Sequence, residues 1–304
     1  MCRVTFDLKK ELKSSDKYYE NKRTLGPTWA CLEITSYCNF DCDYCVQENS
    51  NINDLCFEEW CIIIDKLKSF GITQISIIGG EPTLSSDLFE IIRYAKKQGF
   101  VVSLCSNGSL VDNSYAQALS ASGLDQIQIN IDHIDKGHHK NIRKSPSCCV
   151  EPLTALRNCS EYGIETVVAT VVQEGNFNCL EEISSLVVEN NFSSYRLWRE
   201  VSGAPSAEMA DFIVAAERVH AYLRERGLVS VKSTCNDLPV SFSDEISFSG
   251  CPAGSVFICI SSFGDVFPCS FCRTSVGNIL KEPLEAIFGN VAELSRQEKD
   301  LCLL

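Results

Sequence analysis

Short apolar runs alternate with longer segments of helical periodicity through the first two thirds of the chain. In segment 57–70, apolar side chains recur at steps of three and four residues, as on the buried face of an amphipathic helix. Segment 166–172 is instead almost wholly apolar and β-branched, which is typical of a strand covered on both faces. The pattern predicts six strands, at 29–34, 74–78, 100–105, 126–131, 165–172 and 195–198. It also predicts six helices, at 57–70, 87–98, 114–122, 150–162, 180–190 and 206–226.

This alternation predicts an α/β fold with a parallel sheet and right-handed crossovers, curled into an open, partial (βα)6 TIM-like barrel. We assign the barrel to residues 26–227. The polar stretch 228–250 indicates a connector. Residues 251–304 form a small C-terminal module in which we predict a β-hairpin followed by a helix.

Three cysteines, Cys38, Cys42 and Cys45, follow the first predicted strand in one short loop. Three thiolates from one loop can hold a cuboidal iron-sulfur cluster and leave one iron without a protein ligand. A structural zinc loop, or thiols that merely lie close together, are the alternatives. Zinc sites usually combine CxxC pairs into a closed set of four ligands, and the spacing here is different. The loop therefore indicates a cluster with an open iron that binds a substrate or cofactor.

A glycine-containing turn follows the second predicted strand. Its residues are Gly79, Gly80, Glu81 and Pro82. On its own this sequence could be a tight turn before a helix. Parallel barrels place their reactive loops at the carboxyl ends of the strands, so the turn and the cysteine loop are predicted to lie on the same rim.

The spacing CxxxCxxC, with Tyr44 before its last cysteine, resembles the signature of the radical S-adenosylmethionine (SAM) enzymes, and the GGEP turn resembles a second motif of that family. The resemblance implies that Cys38, Cys42 and Cys45 bind a 4Fe-4S cluster whose open iron is chelated by SAM. One electron from the cluster then cleaves SAM to methionine and a 5'-deoxyadenosyl radical, which abstracts hydrogen from the substrate. It also implies an external one-electron donor of the flavodoxin or ferredoxin kind.

The same resemblance implies a set of SAM-binding residues at the ends of the first four strands. These residues are Tyr44, Gly79, Gly80, Glu81, Pro82, Ser106, Asn107 and Asp132. Short polar strand ends are common in α/β proteins, and without the family context each would be an ordinary cap or turn.

The C-terminal module carries a second cysteine pattern. The spacing of Cys251, Gly264 and Cys269 resembles the start of the SPASM and twitch domains, which carry auxiliary 4Fe-4S clusters. The resemblance implies a twitch-like module with one auxiliary cluster, for which Cys251, Cys269, Cys272 and Cys302 are the candidate ligands. If Cys272 is not a ligand, it is our candidate catalytic residue, a hydrogen-atom donor. Buried thiols or a zinc knuckle are the alternative, and Cys259 is expected in the core.

Charge and composition restrict the partners. The 304 residues carry a formal net charge of −13, and the basic run at 136–140 is expected to be a solvated loop, so we expect no nucleic-acid partner. No apolar run reaches membrane-spanning length and residues 1–10 lack an apolar signal core, so we expect a cytoplasmic protein without a membrane partner. The chain is too long to need disulfide staples, which favours reduced thiols for its 18 cysteines.

The implied activity is hydrogen abstraction from a substrate. Few residues precede the first predicted strand, which leaves little room for a leader-binding module and favours a polar small molecule, such as a sugar or aminoglycoside, undergoing dehydrogenation or epimerisation in natural-product biosynthesis. The alternative is a maturase that modifies a ribosomally made peptide. A passive electron carrier would need neither the GGEP turn nor an open iron.

Overall fold

A ten-stranded sheet organises the part of the chain that the structure describes. The computed structural model describes residues 27–47, 54–145, 150–200, 209–226, 231–234, 253–254 and 256–297. The strands are β1 (Trp29–Glu33), β2 (Gln74–Ile78), β3 (Val101–Ser106), β4 (Gln126–Asn130), β5 (Glu165–Val172), β6 (Ser194–Arg199), β7 (Val231–Thr234), β8 (Phe257–Ile260), β9 (Asp265–Phe267) and β10 (Gly277–Asn278). The helices are α1 (Phe57–Phe70), α2 (Leu88–Lys97), α3 (Asn113–Ser122), α4 (Lys136–Arg143), α5 (Pro152–Glu161), α6 (Leu180–Glu189), α7 (Met209–Glu225) and α8 (Leu284–Gln297).

The order of the strands is β10-β9-β8-β1-β2-β3-β4-β5-β6-β7. Neighbouring strands from β1 to β7 are parallel, and β8 is parallel to β1. Only the hairpin β8–β9 and the pair β9–β10 are antiparallel among the described strands. The predicted α/β class with a parallel, unclosed barrel sheet is confirmed.

Three features of the sheet and its connections differ from the pattern-based prediction. β7 lies in the stretch assigned to a connector and pairs with β6. β8 of the C-terminal module joins the barrel sheet at β1 rather than standing apart. The solvated loop expected at 136–140 is wrong, because these residues begin α4, which the Asp135 carboxylate caps by accepting a hydrogen bond from the backbone N–H of His138.

Local sequence explains where the helices begin and end. At the start of α1, the Glu59 carboxylate accepts a hydrogen bond of 2.9 Å from the backbone N–H of Cys56. At its end, Gly71 adopts a left-handed conformation with φ of 91° and its N–H satisfies the carbonyls of the last turn. One face of α1 packs on the sheet through Trp60, Ile63, Ile64 and Leu67.

The two faces of the parallel strands have different compositions. Alternate positions pack against the helices in one continuous apolar core, which includes Leu32, Ile77, Leu104, Ile129 and Leu197. The opposite positions face the interior of the open barrel, and many of them are polar. They include Glu33, Ser76, Ser103, Gln126, Gln128 and Arg196. None of the described helices is long and apolar enough to span a membrane.

Candidate functional site: the cysteine loop and the glycine turn

The cysteine loop follows β1 at the carboxyl rim of the sheet. Its thiols lie close enough to influence one another, since both Cys38 and Cys45 raise the pKa of Cys42. Burial is the largest cause and raises that pKa to about 11, while the nearby Arg143 acts in the opposite direction. Among the described residues no three ligating side chains converge closely enough to hold a single metal ion. Three cysteine thiols on one loop are nevertheless the donor set that a larger iron cluster takes as thiolates, so the residues present fit a 4Fe-4S cluster by their chemistry.

A buried polar cluster fixes the cysteine loop to β4 and α4. The Tyr44 hydroxyl donates to Asp132 Oδ2 at 2.7 Å, and Arg143 Nη1 donates to the same oxygen at 2.9 Å. The other carboxylate oxygen accepts from the backbone N–H of Val171 at 2.8 Å. Asp132 is completely buried. The Asp132 carboxylate is thus occupied by donors of the protein and holds the loop in place.

His139 supports this cluster from α4. Its Nδ1 accepts a hydrogen bond of 3.1 Å from the backbone N–H of Asp132, so this nitrogen carries no proton. Burial lowers the pKa of His139, although the neighbouring Asp132 acts to raise it. Arg143, on the next turn of α4, reaches Cys42 through its carbonyl, which lies 3.6 Å from the sulfur. α4 therefore contacts the cysteine loop directly.

The GGEP turn is hydrogen-bonded to the start of the cysteine loop. The backbone N–H of Gly80 donates to the Thr35 carbonyl and that of Glu81 donates to the Tyr37 carbonyl, both at 2.8 Å. A Cβ atom on Gly80 would lie 2.2 Å from the Tyr37 carbonyl oxygen, and one on Gly79 would lie 2.5 Å from that of Thr35. Gly79 also has φ of 154°, which L-residues rarely adopt. Glycine is therefore required at both positions for the two segments to meet.

The Glu81 carboxylate connects the glycine turn to the end of β3. It accepts hydrogen bonds from the backbone and hydroxyl of Thr83, from Ser106 Oγ at 2.8 Å and from the backbone N–H of Asn107 at 2.7 Å. Asn107 Nδ2 in turn donates to Asn39 Oδ1 at 2.8 Å, within the cysteine loop. Glu81 is 1% exposed. The structure thus brings Glu81, Ser106 and Asn107 together and makes Glu81 a bracing group.

The predicted SAM-binding residues all lie in the described part of the chain, around the rim. Pro82 is buried and begins the short 3-10 turn after β2. Contacts of these eight residues with SAM stay a prediction. The arrangement modifies how two of them act, because the carboxylates of Glu81 and Asp132 are already bonded to the protein. We interpret both as groups that shape the site.

Sequence reasoning missed a buried carboxylate at the end of β1. Glu33 is 3% exposed and accepts hydrogen bonds from Gln47 Nε2 at 2.7 Å and from Arg273 Nη1 at 2.6 Å. The Cys259 thiol donates to the same carboxylate at 3.2 Å. Glu33 therefore joins the cysteine loop, the barrel and the C-terminal module. A charged residue at the end of an apolar run was the available signal.

The C-terminal cysteines that the structure describes fall in two groups. Cys269 and Cys272 are buried and pack with Ala253 and Phe271. Cys259 is fully buried within β8, as expected for a core residue, and burial with the nearby Glu33 raises its pKa. Cys251 and Cys302 lie outside the described residues. Ligand roles for these cysteines, and a hydrogen-donor role for Cys272, stay predictions.

Comparison with known protein families gives two matches. The family profile described as the Radical SAM superfamily matches residues 32–187. The profile of SPASM, an iron-sulfur cluster-binding domain, matches residues 251–302.

Characterised proteins similar to this chain include two from Methanosarcina barkeri. An AdoMet-dependent heme synthase is 26% identical over 301 residues, which cover 91% of this chain and 86% of the relative. An Fe-coproporphyrin III synthase is 29% identical over 181 residues, which cover 59% of this chain and 45% of the relative.

Two solved structures are similar in fold. Streptococcus suis SuiB bound to the precursor peptide SuiA has a TM-score of 0.73 at 18% identity, covering 95% of this chain and 71% of SuiB. The protein anSMEcpe with bound AdoMet has a TM-score of 0.68 at 20% identity, covering 87% of this chain and 82% of its own. At these identities the likeness concerns the fold alone.

Proposed function

The chain belongs to the radical SAM superfamily, and from this premise we propose that it modifies a polar small molecule, with a tetrapyrrole as the favoured substrate. It is a radical SAM enzyme with a C-terminal SPASM domain. The expected cofactors, a 4Fe-4S cluster with SAM and an auxiliary iron-sulfur centre, are confirmed by these matches. The narrower assignment of a twitch module with one auxiliary cluster stays a prediction.

The proposed mechanism depends on the contact between the cysteine loop and the glycine turn, because this contact fixes the two segments beside each other. When bound, the cluster and SAM supply a 5'-deoxyadenosyl radical that abstracts hydrogen from the substrate. Cys38, Cys42 and Cys45 would hold the cluster. Gly79 and Gly80 keep the turn within hydrogen-bonding distance of the loop, so that backbone groups of the turn face the same rim. Glu81 holds this turn rigid against β3.

The names of relatives that span most of the chain favour a tetrapyrrole. The heme synthase from Methanosarcina barkeri aligns with 91% of the chain. A sugar or aminoglycoside that is dehydrogenated or epimerised stays a prediction without support from these relatives. A peptide substrate remains the alternative. The likeness to SuiB supports the fold of this chain and not the nature of its substrate. We keep an external flavodoxin- or ferredoxin-like electron donor as part of the proposal.

Reductive cleavage of SAM tests the proposed function without knowledge of the substrate. Replacing Cys38, Cys42 and Cys45 together by Ala should abolish 5'-deoxyadenosine formation under dithionite and lower the iron content by about four atoms per chain. Cys61→Ala is the control, because Cys61 lies on α1 outside the site. Retained 5'-deoxyadenosine formation by the triple variant would refute the assignment of these ligands.

A further inference from the structure

Arg196 extends from β6 into the interior of the open barrel. Its Nη1 donates to Gln128 Oε1 at 2.8 Å and its Nη2 donates to Gln126 Oε1 at 3.0 Å. Both glutamines project from β4, which pairs with β5, the neighbour of β6. Two neutral amides therefore hold the guanidinium in a fixed orientation across the barrel.

The other two arginines of the site have carboxylate partners, and Arg196 does not. Arg143 is paired with Asp132 at 2.9 Å, and Arg273 with Glu33 at 2.6 Å. Arg196 forms no ion pair with any residue that the structure describes. Its Nε is buried without a hydrogen-bond partner, as is that of Arg143, so the two arginines differ in the carboxylate partner that only Arg143 has. Such an atom is costly to bury, since it loses water and gains nothing in return.

Burial lowers the pKa of Arg196, and the nearby Cys105 and Glu165 offset this only in part. No described carboxylate forms an ion pair with this buried cation.

We propose that Arg196 binds a carboxylate of the substrate inside the barrel, which assigns the substrate to the carboxylic acids. The inference rests on the proposed function, because it places the substrate within the barrel of a radical SAM enzyme. A guanidinium with a free Nε–H offers the donor geometry that carboxylates prefer. In a chain with a formal net charge of −13, an anion needs such a local cation in order to enter. The Ser76 and Ser103 hydroxyls, 2.5 Å apart, add to the polar lining.

The carboxylate could belong to a tetrapyrrole or to an acidic peptide, and we commit to the tetrapyrrole as the probe. Fe-coproporphyrin III carries propionate groups, and its methyl ester keeps the ring but removes the charges. Anaerobic absorbance titrations should show that the wild type binds the acid at least about tenfold more tightly than the ester. Arg196→Gln should weaken acid binding by about 10- to 100-fold and leave ester binding unchanged. Arg196→Lys should restore part of the affinity because it restores the charge.

A matched control separates this role from general damage. Arg157 also donates to an amide oxygen, that of Asn190, but on the exposed surface of α5. Arg157→Gln should bind the acid like the wild type. Dithionite-driven SAM cleavage should also be unchanged in Arg157→Gln, and absence of that cleavage in the wild type would instead count against the proposed function. The inference is overturned if Arg196→Gln binds the acid normally, if the wild type prefers the ester or does not discriminate, or if the wild type binds only glutamate-rich peptides.

Discussion

Glu81 illustrates how a single buried carboxylate organises the rim. It accepts hydrogen bonds from Thr83, Ser106 and Asn107, which belong to two different segments after β2 and β3. Its effect on SAM is therefore indirect. The residue acts by keeping backbone groups in place, and its removal would leave buried donors unsatisfied.

We predict that Glu81→Ala weakens SAM binding more than it reduces the iron content. The variant should also unfold more easily, by about 1–3 kcal/mol, because the buried N–H of Asn107 loses its acceptor. Equilibrium dialysis of SAM with reconstituted protein and thermal denaturation measure the two effects. Glu90→Ala is the control, since Glu90 forms an exposed pair with Arg93 on α2. Unchanged SAM affinity in Glu81→Ala would contradict the bracing role.

For individual residues, the sequence predicted which positions belong to the site but not which groups hydrogen-bond to them. Motif position placed Glu81 and Asp132 on the rim, where the structure has them. Their complete occupation by protein donors could not be predicted, because the donors come from residues far away along the chain, such as Val171 for Asp132. Arg196 was missed for a similar reason: an isolated arginine in an apolar run gives no sign of whether a carboxylate faces it.

At the scale of the elements, the main structural feature of the site is the contact between the glycine turn and the cysteine loop. We predict that Gly80→Ala lowers the iron content at the catalytic cluster and slows SAM cleavage. The added methyl group would lie 2.2 Å from the Tyr37 carbonyl oxygen and 2.9 Å from the Cys38 nitrogen, so the loop must move. Iron analysis and 5'-deoxyadenosine formation measure the effect.

Gly175→Ala is the matched control for this prediction. A Cβ atom there has no neighbour within 4 Å, and the residue is outside the left-handed region. It should therefore keep its iron and its activity. Equal behaviour of the two alanine variants would mean that the close approach at Gly80 does not matter.

Most of the helices and strands could be predicted from the periodicity of the apolar residues. β2, β5 and α1 have the predicted bounds, because their apolar patterns are long or uninterrupted. α4 was missed because its sequence contains Gly137 and two histidines and buries only His139 and Arg143. Such a helix is defined by its tertiary contacts with the cysteine loop, which no local pattern records.

At the scale of the whole molecule, Glu33 and Arg273 connect the barrel to the C-terminal module. We predict that Arg273→Met loosens the hairpin β8–β9 and lowers the free energy of unfolding by about 1–2 kcal/mol. The predicted loss of unfolding free energy is smaller than for a fully buried ion pair, because the Arg273 side chain is 37% exposed. Hydrogen exchange of the hairpin amides measures the loosening. Arg93→Met, which removes an exposed pair, should leave that exchange unchanged, and equal protection in both variants would exclude the connecting role.

The parallel pairing of β8 with β1 also sets an order of events during synthesis. Trp29 and Phe257 lie side by side in the sheet although they are far apart in the chain. As the chain leaves the ribosome, one edge of β1 stays unpaired until the hairpin β8–β9 emerges. Unpaired strand edges promote aggregation. Contacts of this sequence separation also slow folding. Among the parallel strands β1–β6, the strand that leads into the cysteine loop therefore gains its second neighbour last. Iron that is inserted before β8 has paired would bind to an incompletely folded site.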